Sequence, residues 1–128
     1  MVTAQRIRVL LVDDHTMFRQ GLRTLLQSYP DIEVVDEAGD GAEAVSKVSA
    51  VLPAVVVMDI SMPRMDGVAA TRHLKSQHAQ VSVVGLSVTG QGYQVDAMLR
   101  AGAVKVLTKE RAVDELYDCI KNAAALAS

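Results

Sequence analysis

The sequence predicts an α/β fold, a doubly wound parallel sheet with helices on both faces. Short apolar runs alternate with segments of helical periodicity along the chain, as in successive βα units. One run, at residues 54–58, is apolar at every position, which is typical of a strand that is covered on both faces. The chain has 128 residues, half of them hydrophobic, which fits one domain with a sizeable core.

The first βα unit has a clear strand and a clear helix stop. Residues 7–12 form an apolar run that only Arg8 interrupts, so they predict the first strand. Residues 16–29 carry apolar side chains at helical spacing, and Pro30 follows as a stop.

The second unit is more polar. Residues 32–38 predict a strand that we expect at an edge of the sheet. Asp40 predicts the start of the next helix, because its carboxylate can accept a hydrogen bond from an early backbone N–H while Glu43 reaches back. This helix continues to about residue 49.

Three more units follow the same alternation. The predicted third strand is followed by a helix, a strand, a helix, a strand and a last helix, at residues 67–78, 81–86, 91–100, 104–107 and 112–126. The last helix carries an apolar stripe that we expect to face the core, formed by Val113, Leu116, Ile120 and either Ala123 or Ala124. Five units with right-handed crossovers favour a flavodoxin-like (βα)5 sheet with strand order 2-1-3-4-5.

We predict one domain at residues 6–125, with a tail at residues 126–128 that ends the last helix or begins a linker. The net charge is −2 without a basic block, so the sequence lacks a nucleic-acid footprint, and no segment is typical of a signal peptide or membrane span. The lone Cys119 fits the core of a protein in a reducing, cytoplasmic setting. We interpret the histidines as surface residues without metal-ligand spacing: His15, His73 and His78.

Carboxylates end two predicted strands that lie side by side. Asp13 and Asp14 follow the first strand and Asp59 follows the third, and ligands bind where the strand order reverses, between these two strands. Such carboxylates repel one another, so a divalent cation is the simplest offset, and Mg²⁺ suits a site with few protein ligands. Ser87 and Lys109 follow the fourth and fifth strands at the same edge.

A cation, an ammonium and a hydroxyl around one aspartate predict a site for a phosphoryl group. Asp59 would attack phosphorus, Lys109 and the metal would stabilise the transferring oxygens, and Ser87 would donate a hydrogen bond. Taken singly, each residue has a structural explanation, such as a capping aspartate or a surface lysine. Their joint placement at four strand ends is the specific observation.

Four segments, in this order and spacing, resemble the response-regulator receiver domain of two-component signalling: LLVDDH, VVVMDISMPRMDG, VVGLS and AGAVKVLTKE. The resemblance covers nearly the whole chain. It implies a phosphoacceptor rather than an enzyme, with Asp59 receiving a phosphoryl group from a histidine kinase. It also implies that Asp13, Asp14, Asp59 and the backbone carbonyl of Ser61 hold Mg²⁺, Asp13 partly through water.

The resemblance further implies how the signal leaves the site. Lys109 would pair with the phosphoryl group, Ser87 would move toward it, and Pro63 and Gly67 would shape the loop after the phosphoacceptor. The family commonly has Tyr or Phe where Val106 stands here. Valine has no large ring to reorient, so the usual coupling between hydroxyl and aromatic ring is not expected in its usual form.

The segment DDHTMFRQGLRTLL resembles receivers that precede a helix-turn-helix (LuxR-type) module, as does the Glu that follows Lys109. We expect an excised receiver rather than a stand-alone one, contacting DNA only through a C-terminal module absent from this chain. Tyr117 and Ala124 suggest an output surface. That surface, or a homodimer interface, would lie on helix 4, strand 5 and helix 5, or on helices 1 and 5.

Two other functions remain open from the sequence. A phosphatase of the haloacid-dehalogenase type also uses an aspartyl-phosphate, but it typically has a second aspartate where this chain has Ser61. A receiver-like binding module that works without phosphorylation is the stronger alternative, and Val106 motivates it.

Overall fold

The computed structural model describes residues 5–90 and 92–127 of the chain. One parallel sheet has the order β2-β1-β3-β4-β5, which confirms the predicted flavodoxin-like arrangement. The strands and helices alternate along the chain as β1 (Ile7–Val12), α1 (Thr16–Gln27), β2 (Ile32–Ala38), α2 (Gly41–Val51), β3 (Val55–Asp59), α3 (Gly67–Gln77), β4 (Ser82–Ser87), α4 (Tyr93–Ala101), β5 (Lys105–Thr108) and α5 (Lys109–Leu126).

The helices divide into two layers around the sheet. Helices α1 and α5 pack on one face with the odd positions of β1 and β3, and helices α2, α3 and α4 pack on the other. Every residue of β3 is buried, as its uninterrupted apolar sequence predicts. The more polar β2 lies at an edge of the sheet, as expected.

Several boundaries differ from the prediction at the last two units. Helix α5 begins three residues earlier than expected, because the Thr108 hydroxyl accepts a hydrogen bond from the Arg111 backbone N–H at 3.1 Å and caps the helix. Strand β5 is shifted by one residue. Helix α4 begins at Tyr93, while Gln91, where we expected its start, lies outside the described residues. Leu126 ends α5, and Ser128 of the predicted tail also lies outside them.

The predicted core stripe of the last helix is wrong at Val113, whose side chain is 57% exposed. The buried stripe is Ala112, Leu116, Cys119, Ile120 and Ala123. Val113 is one residue beyond Ala112, which rotates it by about 100° around the helix and out of the interface. Cys119 lies in the core, as expected.

Tyr117, which the sequence suggested as part of an output surface, packs locally. Its ring stacks on Tyr29 with centroids 3.7 Å apart, and its hydroxyl donates to Asp31 Oδ2 at 2.7 Å. Tyr117 and Ala124 both lie against the core layer of α1 and α5. Their apolar character is therefore explained without a partner.

Candidate metal and phosphoryl site

The carboxylates converge at the edge of the sheet where β1 and β3 end. Val12 pairs with Met58 in the ladder, so Asp13 and Asp59 emerge next to each other. Ligand atoms of Asp13, Asp14, His15 and Asp59 all lie within 4.8 Å of one another. The topology thus brings together acidic groups that are far apart in the sequence.

The central carboxylates are shielded from water. Asp13 is 1% exposed and Asp59 is 3% exposed, whereas Asp14 lies at the exposed rim. Burial raises the pKa of Asp59 to about 7, and the negative charge of Asp13 adds to this shift while Lys109 opposes it. Without an added cation, Asp59 therefore holds its proton far more tightly than an ordinary aspartate.

Lys109, the first residue of α5, lies among these carboxylates. Its Nζ is 2.8 Å from Asp13 Oδ2, 3.5 Å from Asp59 Oδ2 and 3.1 Å from His15 Nδ1. Its ammonium also lies 4.9 Å from the centroid of the Phe18 ring, within the range of a cation–π contact. The predicted lysine is thus held at the site by contacts on three sides.

The donor set fits a hard divalent cation. Asp59 Oδ2 is buried and makes no hydrogen bond within residues 5–90 and 92–127, whereas the buried Asp13 Oδ2 is paired with Lys109 at 2.8 Å. Lys109 contributes one positive charge against three carboxylates, so the cluster retains negative charge if all three are ionised. Carboxylate oxygens are the ligands that Mg²⁺ prefers, and a divalent ion would satisfy the orphaned Asp59 Oδ2 and offset the remaining negative charge.

The N-cap residue and the first turn of α1, which the sequence analysis did not assign to the site, also contact it. The backbone N–H of His15 donates to Asp13 Oδ1 at 2.8 Å. The Arg19 guanidinium donates to the Asp13 carbonyl, and its Nε donates to Glu37 at 2.8 Å. With Phe18, these residues lie on the first turn of the helix that follows the acidic pair. Their positions 15, 18 and 19 share one helical face, and that spacing is the signal by which they were recognisable.

The loop after Asp59 turns tightly behind it. The Gly67 N–H donates to the Ile60 carbonyl at 2.7 Å, and a Cβ at Gly67 would lie 2.1 Å from the Asp59 carbonyl oxygen. Only glycine fits this approach. Asp66 caps α3 by accepting from the Ala69 N–H at 2.9 Å. The Ser61 residue, whose carbonyl we expect to bind metal, is exposed in this loop.

The same loop is tied to the start of α2. The Arg64 guanidinium donates to Asp40 Oδ2 through Nε at 2.8 Å and Nη2 at 2.6 Å. The Gly41 N–H donates to the Met65 carbonyl at 2.9 Å. The backbone N–H of Glu43, followed by Arg64, holds the pKa of Asp40 below its usual range.

Ser87 ends β4 as predicted, and its hydroxyl donates to the Thr89 carbonyl within the following loop. On β5, Val106 is half-buried and packs with the layer of α2, α3 and α4. A Cβ at Gly85 would come within 3.1 Å of both the Val106 and Met98 side chains. Val106 therefore fills a narrow space between β4 and α4.

Comparison with known proteins assigns the class of protein that this fold and site define. Residues 9–121 match the profile of the family described as "Response regulator receiver domain", and the chain belongs to this family. Among the described residues, no helix has both the length and the apolar character needed to cross a bilayer.

Individual relatives sharpen this assignment. The chain is 38% identical over 120 residues to the transcriptional regulatory protein DegU of Brevibacillus brevis, covering 94% of this chain and 51% of DegU. The response regulator domain of Thermotoga maritima CheB superposes with a TM-score of 0.87 at 32% identity, covering 94% of this chain and 98% of that one.

A LuxR-family response regulator from Aurantimonas sp. SI85-9A1 superposes with a TM-score of 0.89 at 31% identity, covering 94% of this chain and 86% of that one. The similarity therefore extends to the LuxR family that the segment after the acidic pair indicates. The chain spans about half the length of the curated regulator DegU.

Proposed function

We propose that the chain is a phosphorylation-dependent signalling switch in which Asp59 accepts a phosphoryl group from the phosphohistidine of a histidine kinase. The observation that carries this proposal is the buried Asp59 carboxylate, which has an orphaned oxygen beside the Lys109 ammonium. A buried carboxylate oxygen without a hydrogen bond is costly to keep. Its place at the edge of the sheet, next to the Lys109 ammonium, suits transfer of an anionic group.

The chemistry needs an ionised Asp59. One carboxylate oxygen attacks phosphorus, and the P–O bond to Asp59 forms as the P–N bond to the kinase imidazole breaks. Lys109 Nζ lies 3.5 Å from the attacking carboxylate, so its charge is in place to stabilise the transferring oxygens. Asp13 is held by the His15 N–H and by Arg19, which keeps the neighbouring carboxylate in position.

For Mg²⁺, we propose Asp13, Asp14 and Asp59 as side-chain ligands and the Ser61 carbonyl as a backbone ligand. When bound, Mg²⁺ supplies the positive charge that lowers the repulsion among the carboxylates and favours ionised Asp59. The exposed position of Asp14 leaves the rim of the site open to water and to a phosphodonor.

Phosphorylation adds about −1.5 to −2 charges at Asp59. We propose that the Ser87 hydroxyl then leaves the Thr89 carbonyl and donates to a phosphoryl oxygen, which shifts the loop before α4. Val106 has no aromatic ring that could follow this movement. The phosphorylation signal is therefore transmitted through Ser87 and α4 in this proposal.

The partners follow from this role and stay predictions. The chain covers about half of its curated relatives, so we propose that a C-terminal module contacts DNA and that this chain does not.

Two surfaces expose apolar side chains for output or dimer formation. Tyr93, Leu99 and Val104 lie on α4 and before β5, and Met17 and Val113 line a 260 Å³ groove between α1 and α5. We propose no enzymatic activity for this chain beyond its own phosphorylation and dephosphorylation. Its location in the cytoplasm also remains a prediction.

A receiver-like module that binds its partner without phosphorylation is the second candidate, and Val106 is the observation that favours it. The two functions differ in one measurement. If the affinity of the full-length protein for its DNA or partner is equal with and without phosphodonor, the second function is correct. Membership of the receiver family argues against the phosphatase alternative.

The direct test of the proposed acceptor is intact-mass analysis after treatment with acetyl phosphate and Mg²⁺. We expect one phospho-adduct on the wild type and none on Asp59→Asn. Asp66→Asn is the matched control, because Asp66 lies in the same loop but only caps α3, and it should still be phosphorylated. An unmodified wild type, or an adduct that survives Asp59→Asn, would contradict the proposal.

A further inference from the structure

The backbone of Asp13 is tied to the end of β2 through both of its polar groups. Its N–H donates to the Ala38 carbonyl at 3.1 Å, and its carbonyl accepts from the Arg19 guanidinium. Arg19 in turn donates through Nε to Glu37 Oε1 at 2.8 Å. Because Glu37 and Ala38 are the last two residues of β2, both ties of Asp13 lead to the same strand end.

The Arg19 side chain forms a largely buried bridge between Asp13 and Glu37. The side chains of Arg19 and Glu37 are 17% and 18% exposed. Burial raises the pKa of Glu37, but the hydrogen bonds from Arg19 and Arg23 outweigh this effect and hold that pKa below its usual range. Glu37 is therefore ionised at neutral pH, and its charge-assisted bond to Nε fixes the orientation of the Arg19 guanidinium.

The position of Asp13 matters because its carboxylate acts at short range. Its Oδ2 lies 2.8 Å from Lys109 Nζ, and its ligand atom lies within 4.8 Å of that of Asp59. Asp13 follows the last residue of β1, so the strand ladders end just before it. A rotation of its peptide would move the carboxylate away from Lys109. Groups that orient metal ligands from outside commonly contribute about 10- to 100-fold to metal affinity or activity.

We propose that Arg19 is a positioning residue for phosphorylation of Asp59, and that Glu37 acts through Arg19 by holding its guanidinium against the Asp13 carbonyl. The inference rests on the proposed function. Arg23 offers a contrast on the same helix, because it donates to the other oxygen of the same carboxylate, Glu37 Oε2. Within the described residues, Arg23 makes no hydrogen bond or ion pair with Asp13.

The first test measures the rate of phosphorylation by acetyl phosphate over a series of Mg²⁺ concentrations. In Arg19→Gln we expect the half-saturating Mg²⁺ concentration to rise by about 10-fold, with the rate at saturating Mg²⁺ within about 2-fold of the wild type. Arg23→Gln is the matched control. It loses an ion pair with the same Glu37 and should change neither quantity. An unshifted Arg19→Gln, or an equal shift in Arg23→Gln, would overturn the inference.

Variants of Glu37 test whether it acts through Arg19. Glu37→Ala should raise the half-saturating Mg²⁺ concentration nearly as much as Arg19→Gln. Glu37→Gln keeps an acceptor oxygen for Arg19 Nε and should restore part of the wild-type behaviour. The double variant of Arg19→Gln with Glu37→Ala should shift no further than Arg19→Gln alone, because both changes remove the same support. Fully additive shifts would contradict the role of Glu37.

Backbone hydrogen exchange, followed by NMR in the absence of metal, gives a readout that does not depend on phosphorylation. The Asp13 amide should exchange about 10-fold faster in Arg19→Gln than in the wild type, and at the wild-type rate in Arg23→Gln. The amide of Val57 in β3 reports general stability. An equal acceleration at Asp13 and Val57 would mean general destabilisation and would overturn the inference. Failure of the proposed function looks different, because the wild type would then gain no phospho-adduct while the exchange comparison would still show whether Arg19 holds Asp13.

Discussion

The two loops that flank Asp59 at the edge of the sheet are held in opposite ways. The loop between β3 and α3 is fixed at its ends by backbone hydrogen bonds: Gly67 N–H donates to Ile60 at 2.7 Å, and Gly41 N–H donates to Met65 at 2.9 Å. The Arg64–Asp40 ion pair adds a side-chain tie to α2.

The described residues of the loop between β4 and α4 are largely exposed. Val88 is 76% exposed, and Thr89 and Gly90 are exposed as well. The Ser87 hydroxyl bonds to the Thr89 carbonyl, so this contact stays within the loop. Helix α4 then begins after Gly92 without a side-chain cap.

This difference shows how one edge of the sheet can combine a firmly held binding site with a neighbouring loop that can change conformation. The anchored loop keeps the Asp59 backbone in place, together with the Ser61 carbonyl, which the proposed metal and phosphoryl site would require. The less anchored loop belongs to the part of a structure that rearranges at low cost. Substitutions in the first loop should therefore act mainly on stability, and those in the second mainly on signalling.

The largest expected effect comes from breaking the anchored loop with Gly67→Ala. Its Cβ would lie 2.1 Å from the Asp59 carbonyl oxygen and 2.8 Å from Ile60 Cα, both of them backbone atoms that cannot rotate away. We expect about 3 kcal/mol of destabilisation in urea unfolding, and weaker Mg²⁺ binding because Asp59 must shift. Gly21→Ala is the control, since its Cβ meets nothing within 4 Å in α1, and it should stabilise by roughly 0.5–1 kcal/mol. Equal effects of the two variants would show that the loop is not tightly anchored.

The second effect concerns pH, because an anchored Asp59 cannot move away from Asp13. Its pKa of about 7 in the folded chain exceeds the ordinary value of 3.8, so the folded state binds more protons between those values. Stability should therefore fall as pH rises across this window, by roughly 2 kcal/mol between pH 5 and pH 7 in the presence of EDTA. Asp59→Asn should flatten this dependence.

Urea unfolding at a series of pH values measures this effect. Mg²⁺ should also flatten the wild-type curve between pH 5 and pH 7, because it stabilises the ionised acid and so lowers the folded-state pKa of Asp59. Asp96→Asn, on exposed α4, should retain the wild-type slope. A wild-type curve that is level between pH 5 and pH 7 would mean that Asp59 is not strained. Asp40 acts in the opposite direction, because its lowered pKa gives stability that is lost only on acidification.

The third effect separates the two contributions of Arg64. Arg64 has a φ of 66°, a region that costs a side-chain-bearing residue about 1 kcal/mol relative to glycine. Arg64→Ala loses the ion pair and keeps this cost, whereas Arg64→Gly loses the pair and relieves it. We expect the Gly variant to be about 1 kcal/mol more stable than the Ala variant in urea unfolding. If the two are equally stable, the backbone at position 64 is not strained.

The strand order was predictable from five alternating βα units with right-handed crossovers, and the polar residues of β2 indicated its position at an edge. The phase of α5 was not, since Val113 and Ala112 are both apolar and only the Thr108 cap decides where the helix begins. When the first residue of a helix is not known, its buried apolar stripe can be assigned one residue away from its true position. The interpretation of Tyr117 was incomplete for a related reason, because its partner Asp31 is 86 residues away in the sequence.

The carboxylates and Lys109 were predictable from topology alone, because parallel strands bring their ends to one edge. The contacts of His15 and Arg19 depend on how α1 is set against β1, which the local sequence does not specify. The Arg64–Asp40 pair joins two loops, and arginine at a positive φ runs against residue preference. The sequence therefore predicted the carboxylates themselves but not the neighbouring residues that hold them in position.

The smallest expected change in stability, and the sharpest test of the contrast, is Ser87→Ala. The variant loses the bond to the Thr89 carbonyl, which lies in an exposed loop where water can replace the donor, so we expect less than about 0.5 kcal/mol. The variant should still gain a phospho-adduct with acetyl phosphate and Mg²⁺. Its backbone hydrogen exchange in α4 should nevertheless stay unchanged on phosphorylation, whereas exchange in the wild type should change.

Ser76→Ala is the matched control for this variant, because the Ser76 hydroxyl makes a comparable bond to the His73 carbonyl at 2.7 Å on α3. It should respond to phosphorylation like the wild type. If phosphorylated Ser87→Ala also shows the wild-type change in α4, the signal reaches that helix without the hydroxyl. Lys109 and β5 would then carry it, and the less anchored loop would be a passive neighbour of the site. A response lost in Ser87→Ala but kept in Ser76→Ala ties the readout to the Ser87 hydroxyl.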